Sequence, residues 1–172
     1  IDGLSRLLVA THPNAVAAYV PKQVSFLLRL FPVLARVDAL AAAAESLPDG
    51  VDPNEIRRRG IEGLRELLVK IARRSTLVLW IDDLQWGDLD SAAVLRELLR
   101  PPQPPPLLLL FSWRSEEREA SALLRELLGG GALALPGPPP IEVAVEPLDD
   151  HQGRELAAAV LGPLLLLHEH RI

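Results

Sequence analysis

The sequence predicts an α/β fold with a parallel sheet, and three observations carry that expectation. After a helical lead-in the chain alternates strand, helix, strand, helix, strand, helix, the order that specifies parallel strands joined by right-handed crossovers. The main apolar runs are continuous rather than alternating, as expected of strands covered on both faces. Two of the three runs end in charged residues, and in such sheets chemistry gathers at the carboxyl ends of the strands.

The lead-in, Ile1 to Leu47, reads as short helices. Leu4, Leu7 and Leu8 recur at helical spacing with Asp2 placed to cap the turn. Pro13, Pro21 and Pro32 then punctuate the chain, since proline suits a first helical turn and not a helix interior. Val24, Leu27, Leu28 and Phe31 form one apolar stripe, Ala35 to Ser46 is an alanine-rich helix, and Pro48-Asp49-Gly50 is a turn. Asp52-Pro53-Asn54-Glu55 then starts a long amphipathic helix: a capping residue, proline in the first turn and Glu at the capping-box offset. Ile61, Leu64, Leu67, Leu68 and Ile71 fall on one face of it and Arg58, Glu62, Arg65, Glu66, Lys70 and Arg73 on the other, to an end near Arg74.

Thr76 to Ile81 is the first strand, stopping in Asp82-Asp83. Leu89 to Arg100 is helical, Pro101 to Pro106 a stiff connector, and Leu107 to Phe111 the second strand, followed by Ser112-Trp113-Arg114. A helix from Ser115 to Leu128 stops at Gly129 to Gly131, and Pro136 to Pro140 is a second connector. Ile141 to Val145 is the third strand. Asp149 or Asp150 caps a last helix that ends at Gly162-Pro163.

Composition narrows the chemistry. The chain has 172 residues, 49% hydrophobic and 24% charged, enough apolar surface to offset the entropy of ordering a domain. With no cysteine, disulfides, thiolate metal sites and cysteine nucleophiles are excluded. A net charge of −5 disfavours a polyphosphate backbone as partner. The apolar runs are broken by proline and too short to span a bilayer, so the expected location is the cytoplasm, with no membrane partner. The chain has no methionine, begins at Ile1 and shows no hydrophobic leader, and is therefore expected to be a piece of a longer polypeptide.

Asp82 and Asp83 end the first strand, and Arg114 follows the second by a few residues. Adjacent parallel strands bring these to one edge of the sheet. Carboxylates beside an arginine there suit a metal–phosphate ligand: the acid holds Mg²⁺ and the arginine meets the terminal phosphate.

These residues carry a resemblance. Val78-Leu79-Trp80-Ile81-Asp82-Asp83 looks like a Walker B strand. Leu77 to Trp86, with Gly87-Asp88-Leu89-Asp90-Ser91 after it, resembles the AAA-like modules of the STAND class of P-loop ATPases in bacterial multidomain signalling regulators. Phe111-Ser112-Trp113-Arg114 is similar to their sensor strand, and Val145-Glu146-Pro147-Leu148 to the segment leading from core to lid. The resemblance runs at least from Asp52 to Gly162, and Asp2 to Val37 resembles the helical insert before the Walker B strand. It implies that Asp82 coordinates Mg²⁺, directly or through water, that Asp83 orients or polarises the attacking water, and that Arg114 reads the γ-phosphate. Asp83 and Arg114 are then the catalytic candidates, Asp82 and Arg114 the cofactor-binding ones. Trp86 and Asp88 belong to the loop after the Walker B strand. Trp113 stands in place of a smaller aromatic, and Gln152-Gly153 in place of Glu-Ala.

The phosphate grip of that family is missing. No Gly-x-x-x-x-Gly-Lys-Ser/Thr occurs, and neither Lys22 nor Lys70 follows a glycine loop. The expected fold is thus a truncated P-loop NTPase-like parallel sheet of about three strands with flanking helices: lead-in 1–51, Walker B and sensor half 52–162, tail 163–172. In the family the P-loop strand lies between the sensor strand and the next one. The third strand here is therefore expected either to leave a gap or to pair with Leu107 to Phe111.

The functional expectation is part of an ATP-binding, ATP-hydrolysing signalling switch. ATP and Mg²⁺ belong to the complete module, with no cofactor held tightly by this chain, which is expected to be inactive alone. The expected partners are covalently attached effector or sensor domains and another copy of the chain. The alternative is a non-catalytic α/β scaffold for protein association. Other features read as structural: Arg57-Arg58-Arg59 and Arg73-Arg74 as a solvated helix face rather than a nucleic-acid patch, His168 and His170 as solvent-facing, and Trp80 as core.

Overall fold

The computed structural model describes residues 1–130 and 135–168, the last eight by their backbone alone. The chain divides into two compact units, Ile1–Gly137 and Pro138–Ile172.

The first unit begins with four short helices, α1 (Asp2–Ala10), α2 (Pro13–Tyr19), α3 (Val24–Leu30) and α4 (Asp38–Ala43). Pro13 opens α2, where its missing N–H costs nothing. The alanine-rich stretch is not one helix. Pro32 starts a separate 3₁₀ turn, Pro32–Arg36, whose end at Val37 lets α4 begin afresh at Asp38. Asp2 lies inside α1 rather than capping it.

The long helix α5 (Pro53–Ala72) forms as its sequence dictates: Asp52 accepts the Asn54 N–H at 3.0 Å, with Pro53 in the first turn. Glu55 turns outward, pairing with Arg58 and Arg59 instead of closing a capping box. The apolar face of α5 is the wall of the larger core. Leu64, Leu67, Leu68 and Ile71 pack there with Leu8, Val16, Val24, Leu27, Leu34 and Leu40. Each fully buried Leu contributes about 1.5–3 kcal/mol.

Glycine makes the α3–α5 approach possible. A Cβ at Gly60 would stand 2.7 Å from the Leu30 Cβ, and one at Gly63 would stand 3.1 Å from the Leu27 Cβ. Polar clasps hold the same region: the Lys70 ammonium donates to the Val20 carbonyl at 2.6 Å, and Glu66 accepts the Lys22 N–H at 2.8 Å.

Strands β1 (Val78–Ile81) and β2 (Leu108–Phe111), joined through α6 (Leu89–Leu99), form a parallel two-stranded sheet. The register pairs Val78 with Leu108, Leu79 with Leu109, Trp80 with Leu110 and Ile81 with Phe111. Ile81 and Phe111 pack against a second core of Leu84, Ala92, Leu95, Leu123, Leu124 and Leu127, the last three on α7 (Ala122–Leu128). Arg65 of α5 closes the carboxyl end of α6, donating to the Leu98 carbonyl at 3.1 Å and to the Glu97 carbonyl.

Two expectations about this region are corrected. The strands are covered on one face only: Val78, Trp80, Leu108 and Leu110 are exposed, Trp80 at 65%. Alternate residues of a strand point to opposite faces, and among the described residues nothing of this unit covers the second one. Nor does one helix run from Ser115 to Leu128. A 3₁₀ turn at Ser115–Glu117 comes first, and Ser121 then caps α7 by accepting the Leu124 N–H at 3.3 Å.

In the second unit, residues 141–149 adopt no regular structure, so the expected third strand is absent and the sheet has two strands rather than three among the described residues. A strand exists by its ladder of hydrogen bonds, and among the described residues this segment joins no ladder; Ile141 and Val145 are each 93% exposed. Helix α8 (Asp150–His168) comes next, with Asp149 accepting the His151 and Gln152 N–H groups at 2.9 and 2.8 Å. The helix continues through Gly162-Pro163, because proline removes one backbone bond while the leucines beyond it favour helix. The His168 side chain and all of His170 lie outside the described residues, as does the end of the tail.

Candidate functional site

The in-register end of the two strands builds the site. Past the last pair, the Ser112 N–H donates to the Ile81 carbonyl at 3.1 Å and the Leu84 N–H to the Ser112 carbonyl at 2.9 Å. The pairing of the two segments therefore continues beyond the sheet, and the stretches carrying Asp82, Asp83 and Arg114 leave the same edge together.

Ser112 ties the two aspartates. Its hydroxyl donates to Asp82 Oδ1 and accepts the Asp83 N–H at 3.4 Å. One hydroxyl can do both, having one proton and two lone pairs. Asp83 takes the left-handed backbone conformation with φ 52°, which Asp tolerates better than most residues at a cost of about 1 kcal/mol. That turn sends the chain into the 3₁₀ segment Leu84–Trp86, which buries Leu84 and Gln85 and leaves Trp86 exposed.

Gln85 is the hub of the loop. Its Nε2 donates to Asp83 Oδ1 at 2.9 Å and its Oε1 accepts the Arg114 N–H at 3.4 Å. Its backbone carbonyl accepts the Ser121 hydroxyl at 3.2 Å. Asp83, the segment after β2 and the cap of α7 thus meet at one buried residue. The Arg114 side chain itself is exposed and pairs with no carboxylate among the described residues.

Asp88 has a structural task. Its carboxylate caps α6 by accepting the Ser91 N–H at 2.7 Å, and bonding to the Ser91 side chain and backbone holds its pKa below the ordinary aspartate value. The arginines of α5 are engaged. Arg57 reaches the Asp90 carboxylate at 3.5 Å, Arg58 bonds Glu55 and Glu62, and Arg59 lies over the Phe26 ring at 4.8 Å. The hydrogen bond from Arg58 lowers the Glu55 pKa, and the pairing with Glu55 raises that of Arg58.

Asp82, Asp83 and Arg114 stand at one edge, as their sequence positions require, with the aspartates joined through Ser112 and Arg114 joined through its backbone to Gln85. Sequence reasoning does not single out Ser112 or Gln85. The available signals are a hydroxyl directly after an apolar strand and an amide inside a turn otherwise closed by Leu84 and Trp86. Two open grooves along α3 and the 44–51 loop touch none of these residues.

The donors fit one half of a metal–nucleotide site. Among the described residues no cluster of three or more His, Asp or Glu converges on a cage. Mg²⁺ does not need one: it is commonly held by one or two carboxylates, completing its shell with water and phosphate oxygens, and Asp82 supplies such a carboxylate. The phosphate half does not fit, because the sequence has no glycine-lysine loop to cradle it. Among the described residues no helix is long and apolar enough to cross a membrane.

A family model described as AAA ATPase domain matches residues 5–110. The match takes in the lead-in helices, α5, β1 with Asp82 and Asp83, α6 and most of β2, and stops just short of Ser112 and Arg114. No curated protein and no solved structure matches the chain.

Proposed function

The chain belongs to the AAA ATPase domain family, and from that premise we propose that it carries the Walker B and sensor half of an ATP-hydrolysing signalling switch of the STAND type. The family is one of nucleotide-hydrolysing modules that use ATP and Mg²⁺. The finer reading rests on one observation: Asp82 and Asp83, bridged by the Ser112 hydroxyl, share a sheet edge with Arg114.

In this reading the Asp82 carboxylate would hold Mg²⁺, which would supply positive charge to a phosphoryl group. Asp83 orients the attacking water by accepting its hydrogen bond. The Arg114 guanidinium, free of local carboxylates among the described residues, offers paired donors to a terminal phosphate. The Ser112 hydroxyl holds the Asp82 carboxylate against the Asp83 main chain. The attached effector or sensor domains, a second copy as partner and a cytoplasmic location complete the proposal. Without the phosphate cradle this chain alone does not turn ATP over.

The test is an ATP–Mg²⁺ titration of the chain beside a longer form that carries a glycine-lysine loop. The chain alone should show no micromolar binding, and such binding would overturn the claim that it lacks a phosphate grip. In the longer form Asp83→Asn should lower Mg²⁺-dependent hydrolysis about 10²–10⁴-fold, and Asp82→Asn should weaken its Mg²⁺ dependence. Unaltered turnover in both would remove the aspartates from these roles and leave the non-catalytic scaffold as the reading to pursue.

A further inference from the structure

We propose that Gln85 is a positioning residue that couples the Asp83 carboxylate to the Arg114 backbone, so that the two catalytic candidates are set against one another by a single side chain. The inference rests on the proposed roles of Asp83 and Arg114 and adds to them a residue that touches neither substrate nor metal.

Three observations carry it. First, Gln85 is a buried polar residue, 7% exposed, in a loop whose neighbours Asp83 and Trp86 are exposed. A buried amide is retained at low cost only where its hydrogen bonds are made. Second, the bonds it makes are complementary in kind. The Asp83 carboxylate can only accept and the Arg114 N–H can only donate, so the bridging side chain must present one donor and one acceptor, and a primary amide has both. Glutamate has the same shape but offers two acceptors at neutral pH, and leucine or methionine offers neither. Third, Asp83 is strained, with φ 52°. Such conformations persist where the surroundings over-determine them, and here the Ser112 hydroxyl holds the Asp83 N–H while Gln85 holds its carboxylate. The Ser121 hydroxyl fixes the Gln85 main chain, so the amide does not drift with the loop.

Coupling of this kind differs from packing. A residue that merely fills space beneath the loop would leave Asp83 and Arg114 independent. A bridging residue makes a change at one end felt at the other.

The experiment is a double-mutant cycle read by amide hydrogen exchange and ¹⁵N shifts on the whole chain without nucleotide. In the Gln85 background, Asp83→Ala removes the acceptor at one end and should speed exchange of the Arg114 amide about three- to tenfold, the scale of one modest hydrogen bond. In the Gln85→Met background the same Asp83→Ala change should leave the Arg114 amide unmoved. Gln85→Leu, which offers neither donor nor acceptor, should behave like Gln85→Met. It also serves as the second variant should Gln85→Met fail to fold. Equal response of Arg114 to Asp83→Ala in all backgrounds, or no response in the Gln85 background, would overturn the proposal. Because no nucleotide is present, failure of the ATPase reading would appear in the titration and turnover measurements and not here.

Discussion

Replacing Gly60 by alanine sets two opposed effects against each other. Alanine is favoured over glycine in a helix interior by about 1 kcal/mol, and Gly60 lies inside the 20-residue helix α5. Against this, the added Cβ would stand 2.7 Å from the Leu30 Cβ, 2.6 Å from the Leu30 Cδ2 and 3.1 Å from the Phe26 carbonyl oxygen. Carbon atoms pack best at about 3.5–4.0 Å, so the overlap with the Leu30 Cβ is about 1 Å. A rotamer change can move the Leu30 Cδ2 but not its Cβ, and α3 must shift. Overpacking of this kind costs about 1–3 kcal/mol. The net expectation is a loss of up to about 2 kcal/mol, or a fall in melting temperature of up to about 6 °C at about 3 °C per kcal/mol for a unit of this size. Gly3 supplies the control, since a Cβ there meets nothing within 4 Å; Gly3→Ala should be neutral or stabilising by up to about 1 kcal/mol. The assay is thermal and urea unfolding monitored by circular dichroism at the helix band. A Gly60→Ala protein that melts above the parent would refute the close approach of α3 to α5.

Other substitutions probe capping and burial. Arg65→Met removes the donors to the Leu98 and Glu97 carbonyls from a side chain only 19% exposed, and should cost about 1.5–3 kcal/mol in urea unfolding. Trp80→Thr should change stability by less than about 1 kcal/mol, because the ring is 65% exposed, whereas Leu98→Ala in the core should cost about 2–5 kcal/mol. Acid titration isolates Asp88: its pKa is lowered in the folded chain, so its contribution is present above the unfolded value near 3.8 and lost as pH falls through the lower folded one. Asp88→Asn keeps a capping oxygen but removes that part of the acid dependence, which parallel melting curves between pH 2 and 6 would show as a flatter slope; an unchanged slope would exclude the cap as its source.

The sequence makes legible the features that local chemistry alone decides. The start of α5 is written in Asp52-Pro53, and the stop of α7 in Gly129. The strands and the charged residues at their ends are likewise readable, since four consecutive apolar residues and a pair of aspartates need no partner to be noticed. Coverage is different. Thr76 to Ile81 reads the same whether one face or both are buried, and the expectation of a core Trp80 fails for that reason. The Ser115 to Leu128 pattern conceals its break because Ser121 caps α7 while donating its proton to the carbonyl of Gln85, thirty-six residues earlier. Ile141 to Val145 has every local mark of a strand and lacks only a neighbour, which composition cannot supply.

The site depends on the same distinction. Asp82, Asp83 and Arg114 are identifiable one by one, yet their relation is set by groups that look ordinary in the sequence. A two-stranded parallel ladder of four residue pairs is marginal by itself, and its free ends would be expected to fray. Here the ends are closed by bonds outside the ladder: the Ser112 N–H to Ile81, the Leu84 N–H to Ser112, the Ser112 hydroxyl to both aspartates, and the Gln85 amide from Asp83 to Arg114. Each is worth little alone, about 0.5–1.5 kcal/mol net. Because they share Ser112 and Gln85, they act together: fraying of β2 from β1 would release the Asp82 carboxylate and the Arg114 main chain in one event. Order at the candidate site is therefore tied to strand pairing, and a perturbation that loosens the sheet should disperse Asp82, Asp83 and Arg114 before it unfolds the helical core.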